Sequence, residues 1–241
     1  MYAATRGDLK AFYGDLVRKD TYLIQDLGAN IFEYVIDIGG NCGMFTAMMK
    51  YKYPQAVNIV LEPCKTTFRH LEENTCFMEK IHIENAALGD GSDLYFYNME
   101  YSGMNIFHKD ARKGDSYAVK SYKLPQIFDK YNINRDSTYF IKVDCEGGER
   151  FLLNDHETTE IVKGCGQMGM EVHFPSTKEG VSNRFDEFPT FDEYDNWVKE
   201  NLSDTHEVSY HHSCGKHGYG TFVFRSKELI ELGVMPHLPK I

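Results

Sequence analysis

Short apolar runs alternate with helix-like segments along most of the chain. Tyr34–Ile38, Val57–Leu61 and Thr138–Val143 are β-rich runs of five or six residues, and polar or glycine positions follow each of them. Runs of this kind are typical of strands that are buried on both faces of a parallel sheet. Further strands are predicted at the other β-rich stretches, residues 81–85, 93–97, 117–122 and 169–173.

Helices are predicted between these strands, at residues 44–51, from 64 to about 74, 124–131, from 148 onward and 191–202. Among the first 30 residues, Phe12, Leu16 and Leu23 recur at near-helical spacing, which predicts one or two N-terminal helices. Near the other end, Val208–Tyr210 and Thr221–Phe224 are predicted to pair as antiparallel strands.

The alternation of strands and helices predicts an α/β fold. We expect a doubly wound, mostly parallel sheet, with helices on both faces and an antiparallel C-terminal strand. A length of 241 residues suits one domain better than two. Within it, residues 1–30 are predicted to be an N-terminal helical segment, 31–175 a ligand-binding core, and 176–241 a C-terminal helix with antiparallel strands.

Charge and hydropathy narrow the class of partner. The formal net charge is -10, which argues against nucleic acid because affinity for a phosphate backbone comes largely from Lys and Arg. No apolar run approaches the roughly 18 residues that a membrane span needs, and the first 20 residues carry charges throughout. The six cysteines are scattered and form no C-x-x-C pair. We therefore expect no membrane partner and a cytoplasmic location, and keep open that the chain is one domain of a larger protein.

The glycine-rich segment after the first strand is the strongest candidate for a ligand site. In open α/β sheets, ligands bind beyond the carboxyl ends of the strands. Asn41 occupies the third position of Gly39–Gly43, so the dinucleotide-binding glycine pattern fails. Glu62, at the end of the second strand, could accept hydrogen bonds from a ribose diol. Asp37 would complement an ammonium group, which favours an adenosine-bearing ligand with an amino-acid end.

Five segments, in order, resemble the motifs of the FkbM family of methyltransferases. They are Val35–Thr46, Val60–Pro63, Asn85–Asp90, Phe140–Gly147 and Glu171–His173, and the resemblance covers about residues 20–175. The sequence departs from the family at position 40, where glycine stands in place of the common alanine, and at Gly148, where an aromatic residue is common.

The resemblance implies a class I methyltransferase fold of the Rossmann-like type. It also implies S-adenosylmethionine as methyl donor and, usually, O-methylation of a carbohydrate, glycan or other small-molecule acceptor. Carried over to this sequence, it identifies the cofactor-binding residues as Asp37, Gly39, Gly40, Asn41, Gly43, Phe45, Thr46, Glu62, Pro63, Asn85, Ala86 and Asp144.

Methylation of a sugar hydroxyl benefits from a general base. Asp144 and His173 end the fourth and fifth predicted core strands, and either could take this role. Glu146 is a third catalytic candidate, with the alternative that it caps the helix predicted from residue 148. Lys142 is predicted to face the substrate, together with the loop residues Ser102, Met104 and Asn105.

Three other readings remain open. Asp144, Glu171 and His173 could hold Mg²⁺ or Mn²⁺, although a metal-free site is favoured. A nicotinamide oxidoreductase could use a similar sheet. A non-catalytic binding module could also keep this fold, because function depends on the site and not on the fold.

Overall fold

The strands and helices of the chain are seen in a computed structural model that describes residues 13–97, 107–108, 116–153, 155–175, 189–214 and 218–239. The strands are β1 (Tyr34–Ile38), β2 (Val57–Leu61), β3 (Ile81–Glu84), β4 (Ala87–Leu88), β5 (Leu94–Tyr97), β6 (Phe107–His108), β7 (Ser116–Val119), β8 (Ser121–Tyr122), β9 (Tyr139–Val143), β10 (Gln167–His173), β11 (His206–Cys214) and β12 (Tyr219–Ser226). The α-helices are α1 (Met44–Lys52), α2 (Lys65–Thr75), α3 (Leu124–Lys130), α4 (His156–Lys163), α5 (Phe191–Asn201) and α6 (Lys227–Glu231).

The main sheet has seven strands in the order β11-β12-β10-β9-β1-β2-β3. The five strands from β10 to β3 are parallel, and β12 runs antiparallel to both of its neighbours. The strand order therefore reverses beside β1, where a doubly wound sheet offers its ligand crevice. This topology confirms the predicted mostly parallel sheet with an antiparallel C-terminal strand. The short strands β6-β5-β7 form a separate antiparallel sheet, and β4 pairs with β8.

Apolar side chains cover both faces of the sheet. Ile36 and Ile38 of β1 belong to a core with residues of α3, α4 and α5, whereas Val35 faces the core formed with α1, α6 and the N-terminal segment. Successive side chains of a strand point to opposite faces, so one strand contributes to both cores. None of the described helices is long and apolar enough to cross a membrane.

The N-terminal segment differs from the prediction. Its described residues form one π-helical stretch, Tyr13–Arg18, and residues 19–33 run as turns and irregular structure rather than as helices. Phe12 lies outside the described residues. The carboxylate of Asp20 accepts hydrogen bonds from the backbone N–H groups of Ile24 and Gln25, at 2.8 and 2.9 Å. Asp20 and Leu23 also have φ angles of 50° and 49°. Left-handed backbone ends a helix, so the apolar spacing was misleading here.

Two further boundaries were predicted wrongly. The strand predicted at 117–122 is divided between β7 and β8. The helix predicted from residue 148 is a short 3₁₀-helix, Gly148–Leu152, and it is followed by the separate helix α4. Asp155 begins α4 because its side chain accepts a hydrogen bond from the Thr158 backbone N–H, which is a common N-cap arrangement.

Candidate active site

A buried ion pair joins the ends of β1 and β9. Asp37 and Lys142 face each other in the register of these strands, and Lys142 Nζ lies 3.1 Å from Asp37 Oδ1. Lys142 Nζ also donates a hydrogen bond of 2.6 Å to the carbonyl oxygen of Gly39. Burial lowers the pKa of Lys142, but the charges of Asp37 and Asp144 outweigh burial and raise it. Lys142 therefore acts as a fixed cation inside the protein, which corrects the prediction that it faces the substrate.

The other carboxylate oxygen of Asp37 is held from α1. Asp37 Oδ2 accepts a 2.5 Å hydrogen bond from Thr46 Oγ1, and both residues are fully buried. Phe45 lies in the core, with its ring centroid 5.5 Å from that of Tyr22 and 5.8 Å from that of Phe140. In place of the predicted direct contacts with the cofactor, the structure gives Phe45 and Thr46 a supporting position beneath the glycine turn.

The glycine turn is pressed against the loop that follows β9. Gly39 has a φ of +82°, and a Cβ at this position would lie 1.8 Å from the backbone carbonyl oxygen of Asp144. The backbone N–H of Asp144 in turn donates to the carbonyl oxygen of Ile38 at 3.1 Å. Only glycine allows both the left-handed conformation and this close approach.

The two departures from the family pattern have steric explanations. A Cβ at Gly40 would lie 2.2 Å from Val60 Cγ1, so a valine at position 60 requires glycine at position 40. A Cβ at Gly148 would lie 2.8 Å from Cys145 Sγ, which leaves little room for an aromatic side chain there.

Glu62 connects the glycine turn to the end of β2. Its Oε2 accepts from the backbone N–H of Asn41, and its Oε1 accepts from that of Cys64, each at 2.8 Å. Burial raises the pKa of Glu62 to about 7, although these two hydrogen bonds oppose the rise. A carboxylate oxygen has two lone pairs, so each oxygen keeps one acceptor position beyond its backbone hydrogen bond.

The end of β2 is braced from β3. Asn85 Nδ2 donates to the carbonyl oxygens of Glu62 and Pro63, at 2.9 and 3.0 Å. Asn85 is half-buried, whereas Ala86 is only 1% exposed and packs in the core. The structure thus gives Ala86 a packing position, away from the direct cofactor contact that was predicted for it.

His173 lies among three glutamates. Its Nδ1 is 3.0 Å from Glu149 Oε1, and its Nε2 is 3.4 Å from Glu146 Oε2 and 3.5 Å from Glu171 Oε1. Burial lowers the pKa of His173, but the three carboxyl groups outweigh burial and raise it to about 10. Because a doubly protonated ring has no lone pair to accept a proton, the structure does not support the predicted role of His173 as general base.

Glu149 is the buried member of this group, and sequence reasoning missed it. It is fully buried and accepts hydrogen bonds from the backbone N–H groups of His173 and Gly147, at 2.6 and 2.8 Å. Although burial raises the pKa of Glu149, its interactions with His173 lower it overall. The Gly147 N–H that Glu149 accepts lies directly before the 3₁₀-helix, and the role of Glu146 as a cap of this helix stays a prediction.

Glu146 and Glu171 form the outer part of the group. Their side chains are 20% and 24% exposed, so both are accessible to solvent. Burial and the nearby charge of Asp144 raise the pKa of Glu171 to about 8, while His173 opposes the rise.

Asp144 is the remaining candidate base. Its Oδ2 accepts a 3.2 Å hydrogen bond from the hydroxyl of Tyr22 and lies 3.9 Å from Lys142 Nζ, and 31% of its side chain is exposed. Tyr22 was not predictable as a partner of Asp144, because the contact joins segments 122 residues apart.

The predicted substrate residues Ser102, Met104 and Asn105 lie outside the described residues. Within the part of the chain that the structure describes, no group of three or more His, Cys, Asp or Glu side chains has the geometry of a metal site.

A family model described as the methyltransferase FkbM domain matches residues 26–206. The chain belongs to the FkbM methyltransferase family. Family membership and the order of the seven-stranded sheet together confirm the class I methyltransferase fold.

Two curated relatives of this FkbM protein are methyltransferases from fungi. Methyltransferase 1 of Beauveria bassiana (strain ARSEF 2860) is 46% identical over 141 residues, which are 50% of this chain and 57% of the relative. Methyltransferase sdnD of Sordaria araneosa is 33% identical over 73 residues, which are 30% of this chain and 27% of the relative. The chain therefore matches well under two thirds of either relative.

Solved structures show more distant similarity. Methyltransferase FkbM from Methylobacillus flagellatus KT has a TM-score of 0.40 at 14% identity, covering 80% of this chain and 43% of that one. Fibrillarin from Aeropyrum pernix, in complex with S-adenosyl-L-methionine, has a TM-score of 0.43 at 10% identity, covering 86% of this chain and 74% of that one. Neither similarity is close enough to bear on the function of this chain.

Proposed function

We propose that this FkbM protein is an S-adenosylmethionine-dependent O-methyltransferase that acts on a hydroxyl of a sugar, glycan or related small molecule. The observation that carries the proposal is the junction of the glycine turn with Glu62. The turn leaves the partly exposed residues Gly39 and Asn41 at the carboxyl edge of the sheet, beside a carboxylate that keeps two acceptor positions.

These residues fit S-adenosylmethionine. Glu62 would accept the two ribose hydroxyls, and Asn85 holds the Glu62 backbone in place for this. The backbone of the glycine turn would lie against the amino-acid end, with the buried Asp37–Lys142 pair fixing its position from below. Bound in this way, the cofactor would supply a methyl group on a positively charged sulfur.

Asp144 is the group that we assign as general base. As the acceptor oxygen forms its bond to the methyl carbon, the carbon–sulfur bond breaks and its electron pair stays on sulfur. The hydroxyl proton passes to the Asp144 carboxylate. The negative charges of Asp144 and Glu146 also favour the approach of a cationic sulfur. Of the two strand-end residues predicted as bases, His173 is cationic and has no lone pair to accept a proton. Asp144 is therefore the one suited to this role.

Calorimetric titration of the protein tests cofactor choice directly. S-adenosylmethionine and S-adenosylhomocysteine should bind, and NAD should not. Methyl-labelled S-adenosylmethionine, incubated with panels of sugars, polyols, phenols and amines, then tests the reaction. We expect label in a hydroxyl-bearing acceptor.

Asp144→Asn should retain binding of S-adenosylhomocysteine and lower kcat by about 10²–10⁴-fold, the usual contribution of a general base. Asp136→Asn is the matched control. Asp136 is exposed and lies just before the start of β9, whereas Asp144 follows the end of this strand, so the control should leave kcat unchanged. Binding of NAD alone would overturn the proposal in favour of an oxidoreductase. Cofactor binding without transfer to any acceptor would favour a binding module, and transfer only to amines would refute O-methylation.

A further inference from the structure

We propose that Tyr22 is a positioning residue for Asp144, carried to the active site by the segment Asp20–Asp26. This inference rests on the proposed function. Nearly all of the segment precedes the part of the chain that matches the family model, which begins at residue 26. The feature therefore belongs to this chain's N-terminal segment rather than to the matched domain.

Tyr22 determines which oxygen of Asp144 faces the acceptor. The Tyr22 hydroxyl and Lys142 Nζ both approach Asp144 Oδ2, at 3.2 and 3.9 Å. Among the described residues, no hydrogen bond reaches Oδ1 of Asp144. Burial, followed by the charge of Asp144, holds the pKa of Tyr22 well above its usual value, so the phenol keeps its proton and remains a donor. The carboxylate is thereby oriented with Oδ1 left for the acceptor hydroxyl.

The ring of Tyr22 occupies a closely fitted place on the sheet. It lies over Gly169 of β10, where a Cβ would come within 2.4 Å of Tyr22 Cδ1. The edge of the ring meets Phe45, with a centroid distance of 5.5 Å and an interplanar angle of 86°. Any side chain at position 169 would displace the ring, and with it the hydroxyl that reaches Asp144.

The backbone on either side of the ring is also fixed. Gln167 Nε2 donates to the carbonyl oxygen of Tyr22 at 2.7 Å. Arg225 is fully buried and donates to the carbonyl oxygen of Leu23 at 2.8 Å and to Asp26 Oδ1 at 3.0 Å. Arg225 Nε donates in addition to Gln167 Oε1 at 2.7 Å. Strands β10 and β12 thus hold the segment in the position that brings Tyr22 to Asp144.

The first test removes only the phenol oxygen. Tyr22→Phe should lower kcat by about tenfold or more, because a misaligned catalytic group loses much of its rate advantage. The KM for the acceptor and the Kd for S-adenosylhomocysteine should stay within about twofold of the wild-type values, since the ring and the glycine turn are unchanged. Gly169→Ala, which displaces the ring by a different route, should have the same effect on kcat.

A second pair of variants makes matched chemical changes away from the site. The hydroxyl of Tyr139 is also buried and donates to the carbonyl oxygen of Ile161 at 2.7 Å. A Cβ at Gly164 would lie 2.7 Å from this hydroxyl. Tyr139→Phe and Gly164→Ala therefore repeat the two perturbations in the core, and both should leave kcat unchanged even where they lower stability.

A measurement without turnover completes the test. In protein labelled with ¹³C at the aspartate carboxyl carbons, the Asp144 resonance, assigned through Asp144→Asn, should move in Tyr22→Phe and stay in place in Tyr139→Phe. An unmoved resonance, or an unchanged kcat in an active Tyr22→Phe protein, would overturn the positioning role alone. If the wild-type protein transfers no methyl group, the proposed function fails and the positioning role fails with it.

Discussion

The cationic state of His173 is supported by Glu146 and by the fully buried Glu149, and Glu149→Gln tests the contribution of the buried carboxylate. Glu149 is the fully buried acid of the group and lies 3.0 Å from His173 Nδ1. Glutamine keeps the size of the side chain and removes its charge. We expect the pKa of His173 to fall from about 10 by about 1–3 pH units, the usual effect of one nearby opposite charge.

The effect on stability follows from the same shift. A rise from 6.5 to about 10 corresponds to about 5 kcal/mol in favour of the imidazolium, at about 1.4 kcal/mol per pH unit. Because the pKa of folded His173 is raised, this stabilisation is complete below pH 6.5 and is lost as the pH rises through about 10. Removing one partner of a buried pair costs about 3–5 kcal/mol, so Glu149→Gln should lower the free energy of unfolding at pH 7 by this amount.

Titration of the His173 imidazole resonances by NMR, together with urea denaturation from pH 6 to pH 10, measures both effects. Glu171→Gln is the matched control. Burial raises the pKa of Glu171, and its side chain is 24% exposed, so replacing it should change stability less than replacing the fully buried Glu149. A wild-type His173 that titrates near 6.5, or a Glu149→Gln protein as stable as Glu171→Gln, would refute the reasoning.

Two further predictions concern the support of the glycine turn, and denaturant unfolding checks both. Gly40→Ala should lower the free energy of unfolding by about 1–3 kcal/mol, because the added methyl group would contact Val60. Adding Val60→Ala should recover part of this loss. Equal losses in the single and double variants would contradict this explanation. Lys142→Met should cost about 3–5 kcal/mol because it leaves Asp37 buried without its cation. A cost below about 1 kcal/mol would show that solvent screens the pair and would contradict this explanation.

The parts of the fold that sequence predicted correctly are those that local pattern determines. β1, β2 and β9 are unbroken apolar runs because both of their faces are buried, and their bounds differ from the prediction by one residue at most. The prediction of helices in the N-terminal segment failed because local pattern does not determine the structure of this segment. Its apolar residues face the core at irregular intervals, and the backbone turns at Asp20 and Leu23 depend on side-chain hydrogen bonds that spacing does not reveal.

In the site, too, local pattern predicted the residues at strand ends but not the residues that contact them from elsewhere. Asp37, Glu62 and Asp144 were predictable because each lies in or directly after a core strand, where the topology of a parallel sheet brings carboxyl ends together. Their partners were harder to find. Glu149 follows the predicted strand-end residues by a few positions, but only its burial beside His173 reveals what it does.

Strand-end position alone left His173 and Asp144 as alternative bases, and the surroundings of the two side chains distinguish them. His173 and Asp144 occupy comparable places at the carboxyl edge, and sequence treated them alike. Three glutamates surround the ring of His173 and keep it charged. Asp144 instead accepts a hydrogen bond from the Tyr22 hydroxyl and lies 3.9 Å from Lys142 Nζ, with 31% of its side chain exposed. Which residue can accept a proton is thus set by partners that come from distant parts of the chain.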